Sequence, residues 1–441
     1  MIISEKRNNS IFSNELQRFI NSHSYNADHE LDPLFERIGD SRIVLLGEAS
    51  HGTHEYYIWR ARITRRLLEE KGFTIIGVEG DWPDCYQINR YIRQHKNSAK
   101  EALDVLKNFN RWPAWMWANW EIAALMEWLK SFNKGKAYQN QAGFYGLDVY
   151  SLWESLDVIR NYLRKNDPDA LVQAENALQC FEPYNREGTD YASSTRFTPE
   201  SCEDEVVELL QKVRAKAPTY DTDTESPFNV EQNALTAVNA ERYFRAMIGG
   251  GPKSWNIRDE HMTDTLERLL DFHGHQSKAV IWEHNTHIGD ARATDMKENG
   301  LLNVGQMVRE KWGDSNVVSV GFGSYKGTVI AGNEWGGVMQ KMEVPEARKD
   351  SWEDILHQSS AADKLIITKD IESHPEMMKP LNHRAIGVIY KPDMDYYGNY
   401  VPSLIPKRYD AFIYLDETQA LHPVKTKTED QLTPETYPWG I

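Results

Sequence analysis

The sequence predicts an α/β fold: a mostly parallel central sheet with flanking helices and a large helical insertion. Three observations point there. Short Ile- and Val-rich runs recur in the first and last parts of the 441-residue chain. Helix-length stretches separate them, and strand–helix alternation implies a parallel sheet covered on both faces. A central stretch from about Leu152 to Phe272 carries helical patterns and almost no strand signal.

The runs are Arg42–Gly47, Thr74–Val78, Gly143–Leu147, Ala279–Trp282, Val317–Gly321, Ala385–Tyr390 and Ala411–Leu415. Their length and apolar content read as fully buried strands. A glycine-rich turn is expected after Val317–Gly321. His54–Lys71 reads as a helix with Gly72 as its C-cap. Trp120–Asn133 and Ser351–Gln358 read as two more. The central stretch holds Leu156–Lys165, Ala170–Phe181, Cys202–Lys216, Glu231–Ile248 and Arg258–Phe272, the last two separated by Gly249–Pro252. Residues 1–150 and 276–425 thus form the two parts of an α/β domain, and 151–275 is an insertion expected to roof the sheet edge. An independent helical domain is the alternative. Residues 426–441 read as a polar tail.

Charge and cysteine usage exclude several function classes. Lys plus Arg is 50 against 66 Asp plus Glu, a net charge of −16, the wrong sign for a phosphate-backbone binder. Aromatic residues at 11% exclude global disorder. No apolar run reaches the roughly 18 residues of a membrane span, and MIISEKRNNSIFSNEL has no signal-peptide core. Cys85, Cys180 and Cys202 form no CxxC pair and cannot all pair within one chain. That usage fits a reducing cytoplasm and argues against a thiolate zinc site. A cytoplasmic protein without nucleic-acid or membrane partners is expected. The sequence does not fix an oligomeric state.

Ligands of open α/β sheets bind at the carboxyl ends of the strands. Glu48, Glu79, Asp148, Glu283 and His284 fall there. Carboxylates also cap helices well, but several ionisable groups at one edge shift one another's pKa values and suit acid–base work. The first run continues as Gly47-Glu48-Ala49-Ser50-His51-Gly52-Thr53-His54. Gly47 and Gly52 permit a tight turn and close approach of a ligand. The dipole of the following helix favours a neutral His51, with Glu48 orienting its ring. Arg60 lies within reach of the same site, whereas Arg62, Arg65 and Arg66 read as a solvated face. His284 and His287 form a second HxxH pair matching His51 and His54. Two such pairs with carboxylates suit either water activation or a divalent metal. No cofactor is otherwise implied. The G-x-S-x-G, HExxH and P-loop patterns are absent. Trp112, Trp115, Trp117, Trp120 and Trp128 either line a cleft or wedge the core.

With GEASHGTHE, GVEGDW (Gly77–Trp82), WNIRDEHM (Trp255–Met262), WEHNTHIGD (Trp282–Asp290) and YDAFIYLDET (Tyr409–Thr418) in hand, the chain resembles the erythromycin esterase family. Some members of that family carry labels tied to succinoglycan biosynthesis. The resemblance implies a hydrolase that opens a macrolide lactone or another ester, with a small-molecule ester as partner. It implies His51 as general base, accompanied by Glu48, Arg60, Glu79, His284 and His287. In the mechanism this suggests, Arg60 or a protonated His284 stabilises the oxyanion and His287 protonates the leaving alkoxide. A metal- or porphyrin-binding protein using the same histidines is the competing expectation.

Overall fold

The computed structural model describes residues 14–184, 186, 188–196, 201–216 and 225–425; the 426–441 tail lies outside them. Its strands are β1 (Tyr25–Asn26), β2 (Ile43–Leu46), β3 (Ile75–Asp81), β4 (Gly143–Asp148), β5 (Ala279–Trp282), β6 (Val317–Ala331), β7 (Gln340–Val344), β8 (Lys364–Ile367), β9 (Leu381–Arg384), β10 (Tyr400–Ser403) and β11 (Ala411–Thr418). Nine of them build one sheet in the order β1-β8-β11-β6-β2-β5-β3-β4, with β7 paired to β6. The run from β11 to β4 is parallel. Strands β8 and β1 extend one edge antiparallel.

The parallel strands are apolar throughout because both faces are covered. In β2, Val44 and Leu46 face one hydrophobic cluster while Ile43 and Leu45 face another, as a period of two requires. The first cluster is closed by α1 (His54–Glu70), α2 (Trp82–Ile92) and α3 (Trp120–Asn133). Helix α1 ends at Glu70 with Lys71 as its C-cap, and Gly72 follows, its φ of 73° the left-handed turn that favours glycine.

Between β4 and β5 run α4 (Leu152–Asn166), α5 (Pro168–Phe181), α6 (Glu203–Lys216), α7 (Ser226–Met247) and α8 (Lys253–His273), with no strand among the described residues. Helices α4 to α7 surround a hydrophobic cluster of their own, including Leu156, Phe181, Tyr191 and Leu209. Helix α8 belongs to the sheet instead, packing Met262, Leu266 and Leu269 beneath it.

Several expectations need correction. Strand β6 does not stop at Gly321. It runs on to Ala331 because Gly321 and Gly323 leave room for the rings of Tyr409 and Phe412. Ala385–Tyr390 is not a strand of the sheet. It makes single bridges to Ser50 and Gly332, and its Ile386 and Tyr390 join a small cluster with Val329 and Met342. Strands β7 and β8 are additions, the first mostly exposed and the second only four residues long. Cys180 and Cys202, 22 residues apart, are disulfide-bonded with Cα atoms 5.9 Å apart, while Cys85 is free and buried. The helical hairpin closes a sequence gap that had read as a separation. Unfolding without reductant should therefore expose one titratable thiol, and with reductant three. Cys180→Ser should cost about 3 kcal/mol in chemical denaturation, the cross-link's effect on a loop of this length.

Among the described residues, no helix is long and apolar enough to cross a membrane.

Candidate active site

The strand order sets the site. Leu46, Trp282 and Val78 are in register across β2, β5 and β3, and Val78 pairs Gly146 of β4. The residues just beyond, Glu48, His284, Glu79 and Asp148, therefore line up along one sheet edge. A register irregularity between Val78 and Asp81 turns Glu79 toward the others, as bulges beside functional sites do.

Each histidine is fixed by its hydrogen bonds. His51 Nδ1 donates to Glu48 Oε1 at 2.9 Å. The other Glu48 oxygen accepts from Arg60 Nη2 at 2.5 Å. This leaves His51 Nε2 facing the cavity, 3.9 Å from Glu79 Oε1. His284 opens α9 (Asn285–Ile288). Its Nδ1 accepts from the Thr286 amide and hydroxyl, so Nε2 carries the proton. That Nε2 is buried beside the Ala49 carbonyl, and the ring sits 4.9 Å from that of His51. His287 Nδ1 donates to Asp259 at 2.9 Å, and its Nε2 accepts from Arg258 at 3.1 Å. The indole of Trp255 stacks on it.

Arg258 is the common counter-ion. Its guanidinium reaches Glu79 at 2.6 Å and both oxygens of Asp148 at 2.7 and 2.9 Å. Burial pushes the Glu79 carboxyl up, but His287, His51, Arg258 and the His284 amide together hold it well below the ordinary carboxylate range. Burial likewise opposes ionisation of His51. Glu79 and then Glu48 outweigh it, and the imidazole pKa rises above 6.5. The helix-dipole expectation of a lowered His51 thus fails, because two carboxylates within 4 Å exceed a dipole effect. His284 moves the other way. Burial, then the neighbouring His51, push it well below its usual value, so it is neutral and not a protonated oxyanion partner.

Arg60 is placed differently from its expected role. It is fully buried behind Glu48, between the rings of Tyr57 and Trp282, and does not reach the cavity. Glu283 faces away from it as well. Burial pushes its carboxyl far up, and neither oxygen is hydrogen-bonded. Gly47 and Gly52 admit protein rather than ligand: a Cβ would meet the Asn285 side chain and the Ile330 carbonyl. The two HxxH pairs do not converge, since His54 bonds Glu121 on α3.

The cavity over these groups measures about 430 Å³ and is lined by His51, Glu79, Asp148, Arg258, His284 and His287. Phe109, Trp117, Tyr150, Trp255 and Trp335 form its apolar walls. Trp117 donates to the Glu79 carbonyl at 2.9 Å, whereas Trp115 belongs to the core. The tryptophan segment therefore does both jobs considered for it. Within 151–275 the lining comes from Trp255 and Arg258 of α8 and not from α4 to α7, and the Ala385–Val388 segment and Trp335 complete the roof.

A family model described as erythromycin esterase matches residues 68–418. The chain belongs to the erythromycin esterase family. As a member of that family it is 23% identical to "Erythromycin esterase type II" of Escherichia coli over 378 residues, 79% of this chain and 87% of that one. A crystal structure described as a succinoglycan biosynthesis protein shares its fold with a TM-score of 0.74 at 21% identity, covering 92% of this chain and 98% of the other. An erythromycin esterase mutant, EreC in its open conformation, does so at 0.64 and 14% identity, over 88% and 93% of the two chains.

All six residues expected at the site of this erythromycin esterase relative lie in one neighbourhood, five at the cavity or touching a residue that lines it and Arg60 behind them. Sequence reading gave no role to Arg258 and Asp259, although WNIRDEHM contained them. Their signal was an adjacent opposite-charge pair on a helix whose next turns, Met262 and Leu266, are core.

Proposed function

We propose that this chain is a carboxylic ester hydrolase in which His51 activates water against a bulky or cyclic ester, a macrolide lactone included. The observation that supports the reading most is His51 itself, held through Nδ1 by Glu48 with Nε2 open toward Glu79 at 3.9 Å. A water between them gives its proton to Nε2, and Glu79 accepts its second hydrogen. The hydroxide adds to the ester carbonyl. The Nε2–H of His284, a residue lining the cavity, donates to the oxyanion, the role of a preorganised neutral donor. The tetrahedral adduct collapses, the acyl–oxygen bond breaks, and the proton on His51 passes to the leaving alkoxide. His287 and Asp259 position Glu79 and Arg258, while Arg60 holds Glu48.

The test is a panel of small esters plus erythromycin, with the gain of one water followed by mass spectrometry. Turnover that disappears in His51→Ala supports the reading. A wild-type protein that turns over no ester and retains a pigment through these histidines would replace it with the binding-protein reading.

The base must be neutral, so kcat/KM should rise with pH, with an apparent midpoint above 6.5. Glu79→Gln removes the largest charge raising that value, and a pH–rate profile should show the midpoint move down. A midpoint that stays put would remove Glu79 from this account.

A further inference from the structure

Outside the cavity, His54 at the start of α1, Glu121 in the first turn of α3 and His422 just beyond β11 meet at one point. We propose that these three side chains bind a divalent transition-metal ion of the zinc type, which ties the C-terminal segment to the loop carrying His51.

The geometry carries the assignment. His54 Nδ1 and His422 Nδ1 both lie on Glu121 Oε1, at 2.6 and 2.7 Å. The three donor atoms all fall within 4.8 Å of one another, and among the described residues no other group of three His, Cys, Asp or Glu does so. The imidazole rings stand edge to face, 5.2 Å apart. Two imidazoles and a carboxylate form a borderline donor set suited to zinc, with a fourth position for water. On metal binding through Nδ1, the Nδ1 protons of the two rings move to Nε2, or to solvent where Nε2 already carries one.

Charge balance argues the same way. The Glu121 side chain is 3% exposed, and its polar partners are these two imidazoles and the His422 amide. No Lys or Arg ion pair reaches it among the described residues. A buried carboxylate without a Lys or Arg partner is costly, and a bound cation offsets that cost. The imidazoles are 25% and 44% exposed, which gives an ion a way in.

The surrounding backbone is already arranged for such a tie. The amide of His54 donates to Gln419, that of Leu421 to Gly52, and that of Trp120 to His422, at 2.8 to 3.0 Å. None of the three ligands lines the cavity, so the ion is structural and adds no step to the ester chemistry.

The experiment uses the untagged full chain, stripped with a chelator and dialysed. Zinc chloride is titrated calorimetrically, and retained zinc is measured by elemental analysis after gel filtration. Wild type, His51→Ala and His287→Ala should each hold one equivalent. Glu121→Gln and His422→Ala should bind at least about tenfold more weakly. Zinc should raise the melting temperature of wild type and leave that of His422→Ala where it was. His422 is part-exposed in a connecting segment, so its variant keeps the test sound should Glu121→Gln fold poorly. Absence of retained zinc in wild type overturns the proposal. So does binding that survives in both ligand variants, or that is lost in His51→Ala or His287→Ala instead.

Discussion

His51→Ala should lower kcat/KM for an accepted ester by about 10²- to 10⁴-fold, the usual contribution of a positioned general base, while the protein stays folded. The side chain makes one hydrogen bond, to Glu48. After its removal Glu48 still pairs with Arg60, so no uncompensated charge is left and the stability cost should be about 1–2 kcal/mol. Steady-state kinetics beside a urea melt separates the two effects. Turnover within a factor of a few of wild type would remove His51 from the mechanism.

Arg258→Ala should be the most destabilising single change at the site, at about 3–5 kcal/mol, because it strands buried charge. Glu79 and Asp148 are almost wholly buried, and both bond the same guanidinium. Lysine restores the charge but not the planar fork that spans two carboxylates, so Arg258→Lys should fall between. Adding Asp148→Asn to Arg258→Ala removes one stranded charge and should recover part of the loss. A double-mutant cycle in urea measures that recovery, and strict additivity would show that the two residues do not share the role described here.

Much of this was legible in the residues. Buried strands announce themselves as continuous Ile/Val runs, and β2 and β5 could be read almost to the residue. Ionisable groups directly after such runs pointed to Glu48, Glu79 and His284. What was hidden depends on three-dimensional partners. Arg60 lies on the same helix as Arg62, Arg65 and Arg66, which are only half-buried, and its complete burial between Tyr57 and Trp282 tells it apart. The direction of the His51 shift turns on Glu79, contributed by a different strand. Ala385–Tyr390 has a strand's composition but finds its apolar partners in a side cluster, so composition alone misplaced it. His422 stood outside every motif considered, because its significance comes only from meeting Glu121.

The helices between β4 and α8 bring a second centre of cohesion, with their own apolar cluster and their own covalent cross-link. Such a chain need not melt in one all-or-none event. Two units of different stability would make the calorimetric enthalpy exceed the van't Hoff value taken from any single optical probe. A tryptophan signal is weighted toward the sheet, where most of the indoles sit, and would report the melting of that unit while the helical one lost structure at its own temperature.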